Sequence, residues 1–416
     1  MMKFSPSFLI ALALLAGGAP ALAQTKPATP AEAPKEGARK EVLEPLQAAQ
    51  ALLKDNKAAE ALDKLKAAAA VPDRTPYENF FIDQLTAQAA ALAGQDTLAL
   101  EAYDRALAAG RYNADETRRV MRAQSNLAFR AKDYVRAAGY SRKLLATPEL
   151  PADMRVGALD LLGRSLYLGD KFSESAPVFK DWLDALAASG KPPTEEQIRL
   201  LASAHIQAKD DAGYEKALER MVVAYPKPEY WADLIARQTK QPGLTQRLRL
   251  DLLRLGRTTG GFIQPDALLE AAELALQAGL PGETRQILRS APASNAFTTA
   301  GDQARVRELL DRATKAAATD AATPDDQAKR LKSPAMFGLG HALALDGQAA
   351  RGIPLMQQAI QLGGLRNADD ALLQLGVQQV LAGQADAKAT LAQVKGSDGA
   401  AALARLWDLH LQASPR

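Results

Sequence analysis

Cysteine is absent from this chain of 416 residues. A chain without thiols has no disulfides, no thiolate metal ligands and no cysteine nucleophile. It also lacks the residue on which bacterial lipoproteins carry their lipid anchor. The absence therefore excludes a disulfide-stapled fold, a thiol enzyme and an acylated N-terminus.

Aromatic residues are also scarce, and the positive and negative charges are nearly balanced. Aromatics make up 5% of the chain, and 51 Lys and Arg residues nearly balance 48 Asp and Glu residues, for a net charge of +3. A charge this small gives no electrostatic case for nucleic acid as a partner. The remaining composition, rich in alanine and leucine, favours helices that pack closely through small side chains.

Long apolar runs are missing after the N-terminus, so we expect no stable membrane insertion. Residues 1–23 combine Lys3, an apolar run from Phe8 to Ala16 and the small-residue exit Pro20 to Ala23, which is the pattern of a cleaved signal peptide. With an export signal and no lipid site, we expect the periplasm of a Gram-negative bacterium, with secretion as the alternative. Residues 24–40 lack large apolar residues and are predicted to be a disordered linker.

Small residues recur at a spacing of 38 along the N-terminal half of the chain. The first series is Ala61, Ala99, Ala137, Ser175 and Gly213. Twelve positions before each of these lies a second series, Ala49, Ala87, Ser125, Gly163 and Leu201, of which four are small. Two helices that cross at close range require small residues at the contact. The spacing therefore predicts a stack of antiparallel helical hairpins.

Two stretches carry a closer pattern of large and small residues. The first consists of Leu162, Gly163, Leu166, Phe172, Ser175 and Phe179, and the second of Leu339, Gly340, Leu343, Gly347, Gly352, Met356 and Ala359. Both resemble the tetratricopeptide repeat (TPR) family, although the period of 38 exceeds the family's usual value of about 34. The resemblance implies an all-α fold, an α-solenoid in which antiparallel hairpins form a right-handed superhelix.

The regular register divides the chain into three folded parts. We predict an N-terminal TPR-like array over residues 41–226, irregular helical hairpins over 227–330, and C-terminal TPR-like repeats with a capping helix over 331–416. The irregular part contains one hairpin from Asp266 to Leu288. The polar stretch Thr319 to Pro334 is expected to be a loop that separates the two arrays.

No motif in the chain supports catalysis, a metal or a cofactor. His205, His341 and His410 lie far apart in sequence among apolar neighbours, and we expect core or surface histidines rather than ligands. Acidic pairs such as Glu195-Glu196 fall at predicted helix starts, where they favour the helix dipole. A lytic transglycosylase is the enzyme alternative, but no stretch is left for its lysozyme-like domain.

The TPR resemblance implies a concave surface lined by the first helix of each hairpin. The corresponding positions are Gln84, Gln88, Arg119, Arg122, Asn126, Phe129, Arg130, Arg164 and Tyr167. Arginine binds carboxylates well and aromatics bury area at low entropic cost, so an acidic or C-terminal peptide is the expected ligand. The alternative is that these arginines only keep an exposed face soluble.

The predicted function is that of a non-catalytic adaptor or scaffold that binds protein partners in the cell envelope. The segments Tyr225 to Trp231 and Gly399 to Trp407 resemble repeat proteins associated with TonB-type energy-transduction systems. That resemblance implies components of a transducer complex as partners. The alternative from another class is an activator or assembly factor of cell-wall synthesis.

Overall fold

The computed structural model of the protein describes residues 37–240, 248–262, 264–290, 296–321, 330–396 and 399–413. These residues form helices and no strands, which confirms the all-α prediction. The helices are α1 (Lys40–Lys54), α2 (Ala58–Ala69), α3 (Pro76–Leu92), α4 (Asp96–Ala108), α5 (Ala114–Arg130), α6 (Tyr134–Leu145), α7 (Ala152–Leu168), α8 (Phe172–Ala188), α9 (Glu195–Gln207), α10 (Asp211–Ala224), α11 (Pro228–Gln238), α12 (Arg249–Thr258), α13 (Pro265–Gln277), α14 (Pro281–Arg289), α15 (Ala300–Ala321), α16 (Ser333–Leu345), α17 (Ala349–Leu362), α18 (Ala368–Leu381), α19 (Ala387–Leu391) and α20 (Ala400–Ala413).

Consecutive helices pack as antiparallel hairpins of the TPR-like, α-solenoid kind. The pairs are α1 with α2, α5 with α6, α7 with α8, α9 with α10, α13 with α14, α16 with α17 and α18 with α19. The predicted period is visible in the helix starts, since α5 begins at Ala114 and α7 at Ala152, and both helices are 17 residues long. The α13–α14 hairpin falls where the sequence predicts one.

The small residues occupy the hairpin contacts as predicted. Ala61, Ala137 and Ser175 are fully buried in the hairpins α1–α2, α5–α6 and α7–α8, and Ala99 on α4 is fully buried as well. In α7–α8, the fourth helix pair along the chain and here called the fourth hairpin, the Ser175 hydroxyl donates a hydrogen bond to the Gly163 carbonyl oxygen at 2.8 Å. A Cβ atom on Gly163 would lie 2.6 Å from the ring of Phe179, so no larger residue fits there without a shift. The periodic residues are therefore small because the helices touch at them.

The fifth hairpin, α9–α10, departs from the predicted register by one position. The turn of the fourth hairpin is closed by a hydrogen bond from the Lys171 amide to the Leu166 carbonyl. The equivalent bond in the fifth runs from the Asp210 amide to the His205 carbonyl, one position later than the repeat predicts. Ala202, rather than Leu201, is then equivalent to Gly163. The pairing of Leu201 with Gly213 was therefore wrong, because the fifth turn comes late.

The described chain divides into two compact units, one ending at Ala93 and the other beginning at Gly94. In the first unit, an ion pair fastens the start of α1 to the start of α3. The Glu78 side chain is fully buried and accepts hydrogen bonds from Arg39 Nε at 3.0 Å and from the Thr75 amide at 2.8 Å. These bonds, chiefly the one from Arg39, lower the pKa of Glu78 to about 2.

Because that pKa is lowered, the stabilising effect of Glu78 is expected to depend on pH. The effect should be complete above the ordinary pKa of 4.5 and should fade as the pH falls towards 2. Hydrogen exchange of the intact protein, corrected for intrinsic rates, should show α1 and α3 losing protection in that interval. Glu78→Gln should lower their protection at neutral pH and flatten the dependence.

The control for that experiment is Glu116→Gln on α5. Glu116 forms the same capping box with Asn113, but the structure gives its carboxylate no cationic partner among the described residues. If Glu116→Gln changed the pH dependence of α5 as strongly as Glu78→Gln changes that of α3, capping alone would explain the effect and the buried ion pair would not.

In the second unit, α12 is buried on every side. All residues from Leu250 to Gly256 are buried, which is unusual for a helix in which four of the ten residues are charged. The last helix, α20, packs against α18 and α19 and also against α10 and α12. A single apolar cluster consequently joins Phe179, Trp231 and Leu252 to Leu373 and Trp407.

This arrangement adds to the prediction for the C-terminal part. The sequence predicts a capping helix on the last hairpin, and α20 does cover α18, but it also contacts α10, far earlier in the chain. A hydrogen-bonded ion pair between Arg405 and Glu219 accompanies that contact. The C-terminal helix therefore links two distant parts of the second unit.

Several predicted segments lie partly or wholly outside the described residues. The signal peptide of residues 1–23 and most of the 24–40 linker are among them. The predicted loop from Thr319 to Pro334 is helical at both ends, since α15 continues to Ala321 and α16 begins at Ser333. Its centre falls outside the described residues, so the prediction was too wide on both sides.

Candidate protein-binding surface

The helices α5 and α7 present matching positions because their N-terminal caps are in register. Thr75, Asn113 and Pro151 precede α3, α5 and α7 and are spaced by one repeat period in the sequence. On α5 and α7 the equivalent pairs are Arg122 with Asp160 and Asn126 with Arg164. The two helices lie side by side in the second unit, and we call their shared exposed surface the α5–α7 face.

The α5 part of this face carries two arginines without carboxylate partners. Arg119 and Arg122 lie one turn apart, and no described residue forms an ion pair with either guanidinium. Asn126, one turn further along, donates from its side-chain amide to the Arg122 carbonyl oxygen at 2.8 Å. Both guanidinium groups therefore remain available to an external anion.

The α7 part of the face is already cross-linked within the chain. Arg164 Nε donates to Asp160 Oδ1 at 2.5 Å, and the guanidinium lies 5.7 Å from the ring of Trp182. The hydroxyl groups of Tyr167 and Ser203 are 2.7 Å apart and share a hydrogen bond. Arg164 and Tyr167 are thus held in fixed positions at the edge of the face.

The aromatic residues of the predicted groove brace the hairpin turns. Phe129 contacts Tyr134 with ring centroids 5.6 Å apart, and Tyr167 contacts Phe172 at 5.2 Å. Each pair joins the end of a first helix to the start of the second. Phe129 and Tyr167 are half-buried, so part of each side chain is used in fixing the turn.

The structure brings some of the predicted residues together and separates others. Arg119, Arg122, Asn126 and Arg164 share the α5–α7 face. Arg130 lies at the end of α5, where Nε donates to Asp96 at 2.9 Å. The remaining predicted residues, Gln84 and Gln88, belong to α3 in the first unit; Gln84 is only 6% exposed and has little surface to offer a ligand. Whether any of these residues binds a partner stays a prediction.

Two residues of the α5–α7 face were missed from the sequence. Asp160 is the equivalent of Arg122, and Gly157 is the equivalent of Arg119. The signal was present, because each lies one repeat period after a predicted groove position. The predicted groove does not include them, because an acidic residue and a glycine do not match an arginine-rich surface.

Charged groups also gather in the interior, around α12. The Arg254 guanidinium donates to Glu283 Oε1 at 2.6 Å and also pairs with Asp251, and all three side chains are at most 2% exposed. Burial raises the pKa of Asp251, although Arg254 opposes the effect. His341, also buried, has its pKa lowered well below the ordinary value by burial and by Arg254. This cluster is closed to solvent and offers no site to a ligand.

The other histidines have structural contacts too. His205 Nδ1 lies 2.8 Å from Asp210 Oδ2 across the fifth hairpin turn, and Asp210 in turn accepts from the Gly213 amide at 2.9 Å. Within the described ranges, no group of three His, Asp or Glu side chains is placed to hold a metal ion. In those ranges too, no helix has the length and apolar character needed to cross a bilayer.

The two segments that resemble TonB-associated repeat proteins meet in space. Trp231 and Trp407 are both buried, and the His410 ring lies 6.0 Å from the first and 5.8 Å from the second. Tyr225 donates to the Pro193 carbonyl, so the first segment folds back towards the start of α9. Packing accounts for the aromatic residues of both segments.

Comparisons with known proteins identify no family for this chain. No protein-family model matches it. No curated protein matches it either. Similar solved structures include the C-terminal part of a TPR repeat-containing protein from Cytophaga hutchinsonii, with 11% identity, 79% of this chain and 99% of that chain covered, and a TM-score of 0.29. Yeast Tom70 is 10% identical, with 90% of this chain and 96% of that chain covered and a TM-score of 0.24. The TPR domain of P58(IPK) is 13% identical, with 90% of this chain and 100% of that chain covered and a TM-score of 0.24.

Scores this low carry no argument about function. The TPR-like architecture rests instead on the helix order, the hairpin contacts and the repeat period described above.

Proposed function

We propose that this protein is a periplasmic adaptor that binds segments of partner proteins in the cell envelope. The observation that carries the proposal is the α5–α7 face. No carboxylate of the described residues pairs with Arg119 or Arg122 there, and Arg164 is held by Asp160. A rigid helical surface with free guanidinium groups suits the binding of carboxylates. The export signal read from residues 1–23 supports the periplasmic location.

The choice among envelope partners rests on the sequence resemblance alone. Components of a TonB-type transducer are our first candidates, and synthases of the cell wall are the second. Trp231 and Trp407 are packed in the interior, whereas residues 226–229 of the first segment are exposed. A lytic transglycosylase activity has the least support, since the closed charge cluster at Arg254 is inaccessible to glycan.

The test is crosslinking in intact cells followed by mass spectrometry, with the double variant Arg122→Glu/Arg164→Glu. We expect the variant to keep its helicity and to lose most of its crosslinks, because charge reversal repels an acidic segment. The matched control is Arg142→Glu/Lys180→Glu on α6 and α8, which reverses two similarly exposed charges on the second helices.

The identity of the crosslinked proteins then decides between the candidates. Inner-membrane transducer proteins would support the first, and wall synthases the second. An unchanged crosslink pattern in Arg122→Glu/Arg164→Glu would refute the α5–α7 face as the binding surface. Recovery of the protein in the cytoplasmic fraction, and not in the osmotic-shock fraction, would refute the periplasmic location.

A further inference from the structure

The turns of the hairpins α5–α6, α7–α8 and α9–α10 each hold a charged residue in a left-handed conformation. In each turn an amide donates to the carbonyl oxygen five residues earlier, and the residue before that amide has a positive φ. This residue is Lys132, Asp170 or Lys209, with φ between 56° and 59°. Glycine adopts such a φ at the least cost, so these three side chains are kept there against strain. The same bond closes the turns at Asn56, Gly279, Gly347 and Gly383.

The charges at these three turn positions are not neutralised within the described ranges. Lys132, Asp170 and Lys209 are exposed, and no ion pair of the described residues includes any of them. The other charges around the turns do have partners. Three successive turns therefore present a positive, a negative and a positive charge. The neighbouring pairs are Asp133–Arg136, Arg142–Glu174, Lys171–Glu174, His205–Asp210 and Arg237–Asp211.

Exposed apolar side chains and a cavity lie among these charges. Val135, in the first turn of α6, is 74% exposed, more than any other large apolar side chain of the described residues, and Leu168 at the end of α7 is 48% exposed. The two helix ends touch, since a Cβ atom on Gly169 would lie 3.7 Å from the Cβ atom of Tyr134. A cavity of about 230 Å³ opens between the next two turns. We call this surface, residues 132–135, 168–174 and 207–209, the turn ridge.

The spacing of the three charges matches one face of an α-helix. Helix α5 contacts α7, and the Tyr167 hydroxyl on α7 lies 2.7 Å from that of Ser203 on α9. Because helices packed in this way lie about 8–10 Å apart, successive turns are separated by a similar distance. An α-helix rises about 10.5 Å in seven residues. A helix that lies along the turn ridge thus brings every seventh residue opposite one of the three charges.

We infer that the turn ridge binds an amphipathic helix of a partner protein whose successive heptad positions are acidic, basic and acidic. The acidic residues pair with Lys132 and Lys209, the basic residue pairs with Asp170, and apolar residues between them cover Val135 and Leu168. A uniformly anionic lipid surface fits less well, because Asp170 would repel it. The turn ridge is separate from the α5–α7 face and gives the adaptor a second binding surface.

The test uses two fluorescently labelled helical peptides of about 22 residues, which is long enough to cross three turns. They are identical except that Glu, Lys and Glu at three successive heptad positions of the first are Lys, Glu and Lys in the second. In an anisotropy titration the intact protein should bind the first peptide at least about tenfold more tightly. Lys132→Glu/Asp170→Lys/Lys209→Glu should reverse this preference. Failure to bind either peptide, equal affinities, or an unchanged preference in the triple variant would overturn the inference.

Two variants test the apolar and the left-handed residues. Leu168→Ser should weaken binding of the first peptide by at least about fivefold, whereas Leu362→Ser on α17, which is 61% exposed in the unaltered protein, should leave it unchanged. Lys132→Gly/Asp170→Gly/Lys209→Gly should abolish the preference between the peptides without lowering the melting temperature, because glycine relieves the strain at these turns. A lower melting temperature together with an unchanged preference would contradict the role given to these side chains.

Further measurements separate the turn ridge from the other surface and from other occupants. Arg122→Glu/Arg164→Glu should bind the first peptide as tightly as the unaltered protein does. Loss of binding in that variant would place the peptide on the α5–α7 face and overturn the turn ridge, while the proposed function would still rest on the crosslinks. Dimers in sedimentation velocity, or flotation with phosphatidylglycerol vesicles, that Leu168→Ser abolished would also overturn the inference, in favour of a second copy or a lipid surface.

Discussion

Gly352→Ala is expected to destabilise the α16–α17 hairpin by at least about 3 kcal/mol, which is the upper end of the range for overpacked cores. A Cβ atom on Gly352 would lie 2.2 Å from the Gly340 carbonyl oxygen and 2.6 Å from the Ala344 amide nitrogen. Both neighbours are backbone atoms of α16, so no side-chain rotation relieves the clash. The two helices would have to separate along their whole contact.

Thermal and urea unfolding followed by circular dichroism would measure this loss. Gly338→Ala is the matched control on α16, since its new methyl group would meet nothing within 4 Å. It should stabilise the protein by about 0.5–1 kcal/mol through the lower entropy of its unfolded chain. If Gly352→Ala and the unaltered protein had the same melting temperature, α16 and α17 would have to be further apart than in the structure.

Arg254→Met is the other substitution from which we expect a large loss, about 3–5 kcal/mol. It leaves the carboxylates of Asp251 and Glu283 buried, and among the described residues the remaining cationic partner is Arg257, 3.9 Å from Glu283. The loss should shrink as the pH is lowered, because burial raises the pKa of Asp251 and protonation of this carboxylate removes one uncompensated charge. Urea denaturation at neutral and mildly acidic pH would measure both effects.

Two further variants define the origin of that loss. Arg249→Met on the same helix removes an ion pair with Glu270 that is partly exposed on both sides, and should cost less than about 1 kcal/mol. Arg254→Met/Asp251→Leu/Glu283→Leu removes the whole buried cluster and should regain most of the stability. If the triple variant were as unstable as Arg254→Met, lost packing and not unpaired charge would be the cause.

The hairpin fold was predictable because its contacts repeat. Ala61, Ala137 and Ser175 are small for the same steric reason, so their spacing alone reveals the crossing of two helices. The turns were harder to place, because their left-handed residues include lysines and aspartates, such as Lys132 and Asp170, where glycine would be the usual signal. The shift in the fifth hairpin could not be predicted, because Leu201 and Ala202 are adjacent apolar residues and both are buried at the contact.

The middle of the chain was less predictable because its periodicity is weak. Thr284 donates to the Ala272 carbonyl at 3.1 Å, just as Ser175 does to Gly163 over the same sequence separation. The pair Ala272 and Thr284 has no matching pair one repeat period away in the sequence, so no spacing reveals this helix contact. The burial of α12 could not be foreseen either, because charged residues such as Arg254 are typical of exposed helices and its partner is distant in sequence.

The candidate site was predictable in its location and less so in its availability. Helix periodicity places Arg119, Arg122 and Arg164 on first helices, as the structure does. It cannot show that Arg164 already pairs with Asp160 or that Gln84 is buried, since both depend on neighbours in three dimensions. The free arginines could be recognised only after the intramolecular ion pairs were known.

The return of α20 onto α10 and α12 bears on how the chain is made. In a simple repeat array each hairpin is covered by its neighbour as soon as that neighbour is synthesised. Here Trp231 and Leu252 receive part of their cover from Leu403 and Trp407. The centre of the second unit therefore stays incomplete until α20 has left the ribosome, and a chain truncated before α20 would have an open, aggregation-prone interior.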